Sequence, residues 1–198
     1  MSFEKLVTIK KTIFSLEDVA TALGIKTSSA AVVCNRYVKK GLLVRIKRGL
    51  YTQTEKLRYL EQKELFIIAN FLQVPSYVSL MTALSYYGLT TQIQRNFFES
   101  ISIKRTKRFE VKGFTFNYSK VMPELYYGFE KREGVFIAQP EKALLDSFYL
   151  ASIGRYSLDV SSIDLKKVNE GALADLSHRF PSKTKKMVER YYGTITGT

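Results

Sequence analysis

The side chains with the most recognition chemistry to offer lie between residues 28 and 49. Asn35 and Arg36 are neighbours whose polar ends match base-pair edges. Arginine suits guanine and asparagine suits adenine, each good bidentate pair giving ~1–3 kcal/mol of discrimination. Ser28 and Ser29 are short enough to let the backbone approach closely, and their N–H groups can meet a phosphate. Lys39 and Lys40 follow on the same segment. Lys47-Arg48-Gly49 then places two cations beside a residue free to turn tightly, suited to a minor groove or its flanking phosphates. Reaction chemistry is poorly provided for. His178 is the one histidine and has no Cys or second His nearby, so a zinc site is not expected. No phosphate-cradling or dinucleotide-binding glycine pattern occurs. Glu141 and Asp146 share a helix face badly, and Lys142 with Asp146 reads as an ordinary i,i+4 pair. Neither catalysis nor a cofactor is expected.

The elements that must position these groups are legible around them. Ser15-Leu16-Glu17-Asp18 sets an acid three residues after a serine, a helix start resembling a capping box with Asp in place of the longer Glu or Gln. Val19, Ala20 and Leu23 follow at helical spacing, and Gly24 closes the helix. Thr27 or Ser28 caps a second helix that runs through Lys40 to a stop at Gly41. Ala30, Val33, Cys34, Tyr37 and Val38 form its inward stripe. That leaves Ser28, Ser29, Val32, Asn35, Arg36, Lys39 and Lys40 facing solvent or a duplex, with Thr27 at the helix start. Residues 43–46, 47–49 and 50–52 read as strand, basic turn and strand. Two helices across a short turn followed by a hairpin with a cationic tip describe a winged helix-turn-helix, an arrangement that holds double-stranded DNA. The bland alternative is the same fold used only for protein contacts.

Composition agrees with an anionic partner. The formal net charge is +13, with 31 Lys and Arg against 18 Asp and Glu in 198 residues. Residues 1–60 hold 12 cations and 4 acids, and residues 61–198 hold 19 and 14, so the excess is densest on the helix-turn-helix segment. A hydrophobic fraction of 45% supports a real core and excludes a disordered chain. The single cysteine, Cys34, forms no internal disulfide, and neither a signal-peptide core nor a membrane-spanning run is found. A cytoplasmic protein is expected. A basic amphipathic helix with a broad apolar face for a membrane surface is also missing.

Elsewhere the pattern predicts a short helix over 3–9 with Phe3, Leu6 and Val7 on one side. A longer helix is predicted over 55–72, striped by Leu57, Leu60, Glu64, Ile67, Ile68, Phe71 and Leu72, with Pro75 preventing its continuation. Another runs from Ser79 to Tyr87 and ends at Gly88. From Phe97 the period becomes two, the mark of a half-buried strand. Residues 109–118 read as a hairpin turning at Lys112-Gly113, and 135–138 as a short buried strand. Pro140 opens a helix to about Leu150. Helices are expected over 164–168, 170–180 and 182–192, with a loose tail from Gly193. Lys104, Arg105, Lys107 and Arg108 form a second basic run, placed in the hairpin and capable of touching a nucleic-acid backbone. Lys183, Lys185, Lys186 and Arg190 read as a solvated face. The fold class is therefore α+β, with a domain over 1–55, a mixed α/β domain over 56–198, and a boundary anywhere from 55 to 75.

Two motifs of the second domain carry a family resemblance. Tyr77 to Leu89 (YVSLMTALSYYGL) and Phe136 to Asp146 (FIAQPEKALLD), with the Lys112–Phe116 strand before the latter, resemble segments of AbiEi-type antitoxins. The order of wing, first motif, hairpin and second motif matches almost the whole chain. The resemblance implies a transcriptional autorepressor that is also the antitoxin of a type IV toxin–antitoxin pair linked to abortive phage infection. It implies two copies bound to an inverted-repeat operator, and a nucleotidyltransferase-like toxin with which no stable complex is the rule. Pro140–Asp146 corresponds to a core helix of the antitoxin domain. Two other functions stay open from the residues: neutralisation of a toxin by direct protein contact, and RNA binding through residues 104–108 and the paired tyrosines Tyr86-Tyr87, Tyr126-Tyr127 and Tyr191-Tyr192.

Overall fold

The structure is a computed structural model that describes residues 3–92 and 94–193. It divides into two compact units, the first ending at Leu72 and the second beginning at Gln73.

The first unit contains α1 (Glu4–Val7), β1 (Phe14–Ser15), α2 (Leu16–Leu23), α3 (Thr27–Lys39), β2 (Leu43–Lys47), β3 (Leu50–Gln53) and α4 (Gln62–Leu72). Its sheet has the order β1-β3-β2, antiparallel throughout. Leu6, Phe14, Val19, Ala30, Val33, Cys34, Tyr37, Leu43 and Tyr51 make one buried cluster joining α1, α2, α3 and the strands. The capping box forms as the sequence predicts: Asp18 N–H donates to Ser15 Oγ, and the Asp18 carboxylate accepts from Ser15 N–H at 2.8 Å. Gly24 adopts φ +67, the left-handed region a side chain would resist. Of the predicted first-helix face, Leu6 is buried but Val7 is 53% exposed.

Two helix boundaries differ from the sequence pattern. The cap of α3 is Lys26, in extended conformation, so Thr27 and Ser28 are already helical and no side chain caps that end. The predicted helix over 55–72 is two pieces: a 3-10 turn over Lys56–Tyr59, then α4. Leu60 turns extended between them. Glu64 explains the fresh start, because its carboxylate accepts from Glu61 N–H at 3.1 Å and from the Thr12 hydroxyl at 2.7 Å. The buried face of α4 is consequently Leu65, Phe66, Ile68, Ala69 and Leu72, and Phe71 is 45% exposed.

The second unit is a six-stranded mixed sheet with helices. It comprises β4 (Ser76–Val78), α5 (Leu80–Tyr86), β5 (Phe97–Ser102), β6 (Lys107–Val111), β7 (Phe114–Lys120), β8 (Phe129–Arg132), β9 (Val135–Ala138), α6 (Pro140–Ser152), α7 (Glu170–Ser177) and α8 (Ser182–Gly193). Strand order is β6-β7-β5-β4-β9-β8, with β5–β7 and β4–β9 parallel and the other pairs antiparallel. The three-residue strand β4 was too short for a periodicity signal, yet it lies mid-sheet. Strand β5 is buried from Phe98 to Ser102 on both alternating sets of side chains, not on one; it lies inside the sheet between β4 and β7, and α5 packs against it. Lys104 and Arg105 lie in the β5–β6 connection, not in the β6–β7 hairpin whose turn is Lys112-Gly113. In β9, Phe136 is exposed between buried neighbours. Helix α6 runs to Ser152 with Pro140 in its first turn, as the proline position predicts. The segment predicted helical over 164–168 is a 3-10 turn at Leu165–Lys167. Of the expected loose tail, Gly193 belongs to α8, and residues 194–198 lie outside those described.

Candidate nucleic-acid interface

Helix α3 presents its polar residues on one side. Ala30, Val33, Cys34 and Tyr37 are buried in the first unit's core, and Val38 packs half-buried against it. Thr27, Ser28, Ser29, Val32, Asn35, Arg36, Lys39 and Lys40 are all exposed. The Arg36 guanidinium sits 5.6 Å from the Tyr37 ring centroid, a cation–π contact that restrains its stem while its face stays in water. No acid occupies the first turn of α3, and no side chain caps it, so its leading N–H groups retain their partial positive charge. Cys34 has no surface role, since burial pushes its thiol up to about 11.

The hairpin is a two-residue turn at Arg48-Gly49, with Lys47 facing Leu50 and Gly49 at φ +78. Its two cations are not equivalent. Lys47 Nζ donates to the Phe71 carbonyl at 2.6 Å, at the C-terminal end of α4, where a cation also meets the negative end of the helix dipole. Arg48 is exposed at the tip. The wing is therefore pinned by one cation and presents the other. Sequence reasoning passed over Arg45, which stands exposed on β2. The signal was available: a lone cation within the apolar string Leu43-Val44-Arg45-Ile46.

The second basic run is also split by its surroundings. Lys104 and Arg105 are exposed, while the Arg105 carbonyl accepts from Gln73 Nε2 at 2.8 Å and fixes the loop. Lys107 lays its ammonium over the Phe109 ring, and Arg108 pairs with Glu110 at 3.0 Å. On α8, Lys183 and Lys186 are exposed.

Lys142 and Asp146 depart most from the sequence reading. They are a buried ion pair, both side chains 0% exposed, rather than a surface i,i+4 pair. Asp146 also accepts from the Ser79 hydroxyl at 2.8 Å and the Tyr77 hydroxyl at 3.0 Å. The Lys142 ammonium lies 5.5, 5.2 and 5.0 Å from the ring centroids of Tyr77, Tyr127 and Phe180. Gly128 leaves room for this lysine, since a Cβ there would come within 3.0 Å of Lys142 Cγ. Burial raises the Asp146 carboxyl and lowers the Lys142 ammonium, and their mutual attraction opposes both shifts. The result is a polar bolt joining α6 to β4 and to the Tyr126–Phe129 segment. Neither charged group presents an atom to solvent. Among the described residues no cluster of His, Cys, Asp and Glu has the makings of a metal site, and no helix is long and apolar enough to cross a membrane.

Residues 5–52 match the model of a family described as transcriptional regulator, AbiEi antitoxin. The matched stretch runs from within α1 into β3 and takes in α2, α3 and the wing. The match lies wholly within the N-terminal unit. No curated protein matches the chain.

Proposed function

We propose that this chain is an AbiEi-type regulator, a cytoplasmic autorepressor and antitoxin of a type IV toxin–antitoxin pair that serves phage defence. It binds an inverted repeat in its own promoter and counteracts a nucleotidyltransferase-like toxin without forming a stable complex with it. The observation that carries the DNA reading is the exposed face of α3, where Ser28, Ser29, Val32, Asn35, Arg36, Lys39 and Lys40 stand together on a helix anchored by a buried opposite face. In this reading α3 enters the major groove. Its uncapped start and Thr27, Ser28 and Ser29 meet phosphate, and Asn35 and Arg36 address base edges. Lys39 and Lys40 hold flanking backbone. At the wing, Arg48 reaches the adjacent groove, Gly49 lets the turn close, and Lys47 fixes the hairpin. Lys104 and Arg105 supply auxiliary phosphate contacts, with smaller contributions from Lys107 and Arg108, whose charges are already engaged. An inverted repeat takes two copies, one per half-site.

Nuclease footprinting on the chain's own upstream DNA tests this reading. The wild-type protein is expected to protect two symmetric half-sites. The double variant Arg36→Ala/Arg48→Ala is expected to lose that protection while keeping its circular dichroism. A wild-type footprint that is absent, or that falls equally on unrelated sequence, contradicts it.

A further inference from the structure

Val32 is the residue of the α3 face that recognition by charge and hydrogen bonding does not use. Its side chain is 70% exposed, whereas Val33 and Tyr37 on the same helix are 4% and 5%. It lies three or four residues from each of Ser28, Ser29, Asn35 and Arg36, which puts it at the centre of the exposed face rather than at its edge. A β-branched residue there lowers helix propensity relative to alanine, and an apolar side chain gains nothing from water. The uncapped helix start and the short serines let this part of α3 come closest to a partner surface. In the major groove the apolar feature within reach of such a side chain is the C5-methyl of thymine.

We propose that Val32 is a specificity determinant that packs its two methyl groups against a thymine C5-methyl in each half-site, between the positions addressed by Asn35 and Arg36. The inference rests on the DNA reading above. Stiffness at χ1 suits this task, because a β-branched side chain in a helix is held largely in one rotamer and offers a fixed apolar surface. Recognition is then of a methyl group and not of a hydrogen-bond pattern, so it separates thymine from uracil, which pairs identically.

The test uses the full-length protein and a duplex carrying the upstream repeat, with thymines replaced by deoxyuridine at symmetric positions one pair at a time. One position is expected to weaken wild-type binding by about threefold to tenfold, the scale of losing buried methyl contact in two half-sites. Val32→Ala is expected to show a similar loss on the thymine duplex and under twofold further loss on the uracil duplex. Its salt dependence should be unchanged, because no phosphate contact is lost. Val32 is exposed, so circular dichroism should match wild type. The inference is overturned if no deoxyuridine position affects the wild type, or if the wild type and Val32→Ala lose affinity equally. Equal binding to the upstream and a scrambled duplex would instead remove the DNA reading itself, and this inference with it.

Discussion

In the first unit Arg36, Lys39, Lys40 and Arg48 stand in water on a helix and a hairpin tip, whereas in the second Lys142 and Asp146 are 0% exposed and Glu99 is 2% exposed. The buried polar residues described in the first unit are the uncharged Thr52 and Gln53. The contrast separates two uses of charge. Cations left in solvent at the surface of a well-packed core cost little stability and stay available to an anionic partner. Charges taken out of water must be answered by the fold itself, and their partners hold the elements together. Substituting the exposed set should therefore change binding and spare stability, and substituting the buried set should do the reverse.

The largest effect should come from the bolt. Asp146→Ala leaves the Lys142 ammonium and two hydroxyls unanswered in the interior, and should cost about 3–5 kcal/mol of stability by urea denaturation. A loss below 1 kcal/mol would break the contrast at its strongest point. Glu99 comes next. Burial raises its carboxyl to about 7, and it accepts from the Tyr156 hydroxyl at 3.0 Å. Because the folded state holds this proton more tightly than the unfolded chain, the group's contribution is full at low pH. It falls from about pH 4.5 and is lost by about pH 7. Glu99→Gln should therefore stabilise the protein at pH 8, on the order of 3 kcal/mol. It should also flatten the stability profile between those pH values, as thermal melts across pH would show. Unchanged melts at pH 8 would mean that burial does not raise the Glu99 carboxyl.

Smaller effects sharpen the comparison. Ser15→Ala removes one half of the α2 capping box and should cost about 1 kcal/mol by the same denaturation experiment. Arg48→Ala should alter stability by less than about 0.5 kcal/mol. It should nevertheless weaken operator binding and reduce the slope of log affinity against log salt by about one per protomer. A stability loss like that of Asp146→Ala would place Arg48 with the structural charges instead.

The first unit was legible because its elements face a single small core. Periodicity then sorts Ala30, Val33, Cys34 and Tyr37 from Ser29, Val32, Asn35 and Arg36 without ambiguity, and Ser15, Gly24 and Gly41 act within their own neighbourhoods. What escaped the sequence depends on distant partners. Lys142 and Asp146 at i,i+4 look like a surface pair until Tyr77 and Ser79, 69 and 67 residues from Asp146, close over it. Lys47 looks like a free wing cation because its acceptor, the Phe71 carbonyl, belongs to another element. Alternation in β5 marks a strand equally well whether one face or both are covered, so Glu99 gave no sign of burial. The Lys26 cap of α3 was hidden by a neighbouring threonine and serine that suit capping better than lysine does.

Fluorescence anisotropy of the full-length protein on its own upstream DNA, against a scrambled duplex at 50 and 200 mM salt, tests the central claim most directly. Tight binding that prefers the upstream repeat is expected, with a loss of ~10³–10⁵ in affinity between the two salts if six to ten phosphates are contacted. Weak binding that is equal for both duplexes would contradict the claim, and the exposed face of α3 would then belong to a protein partner.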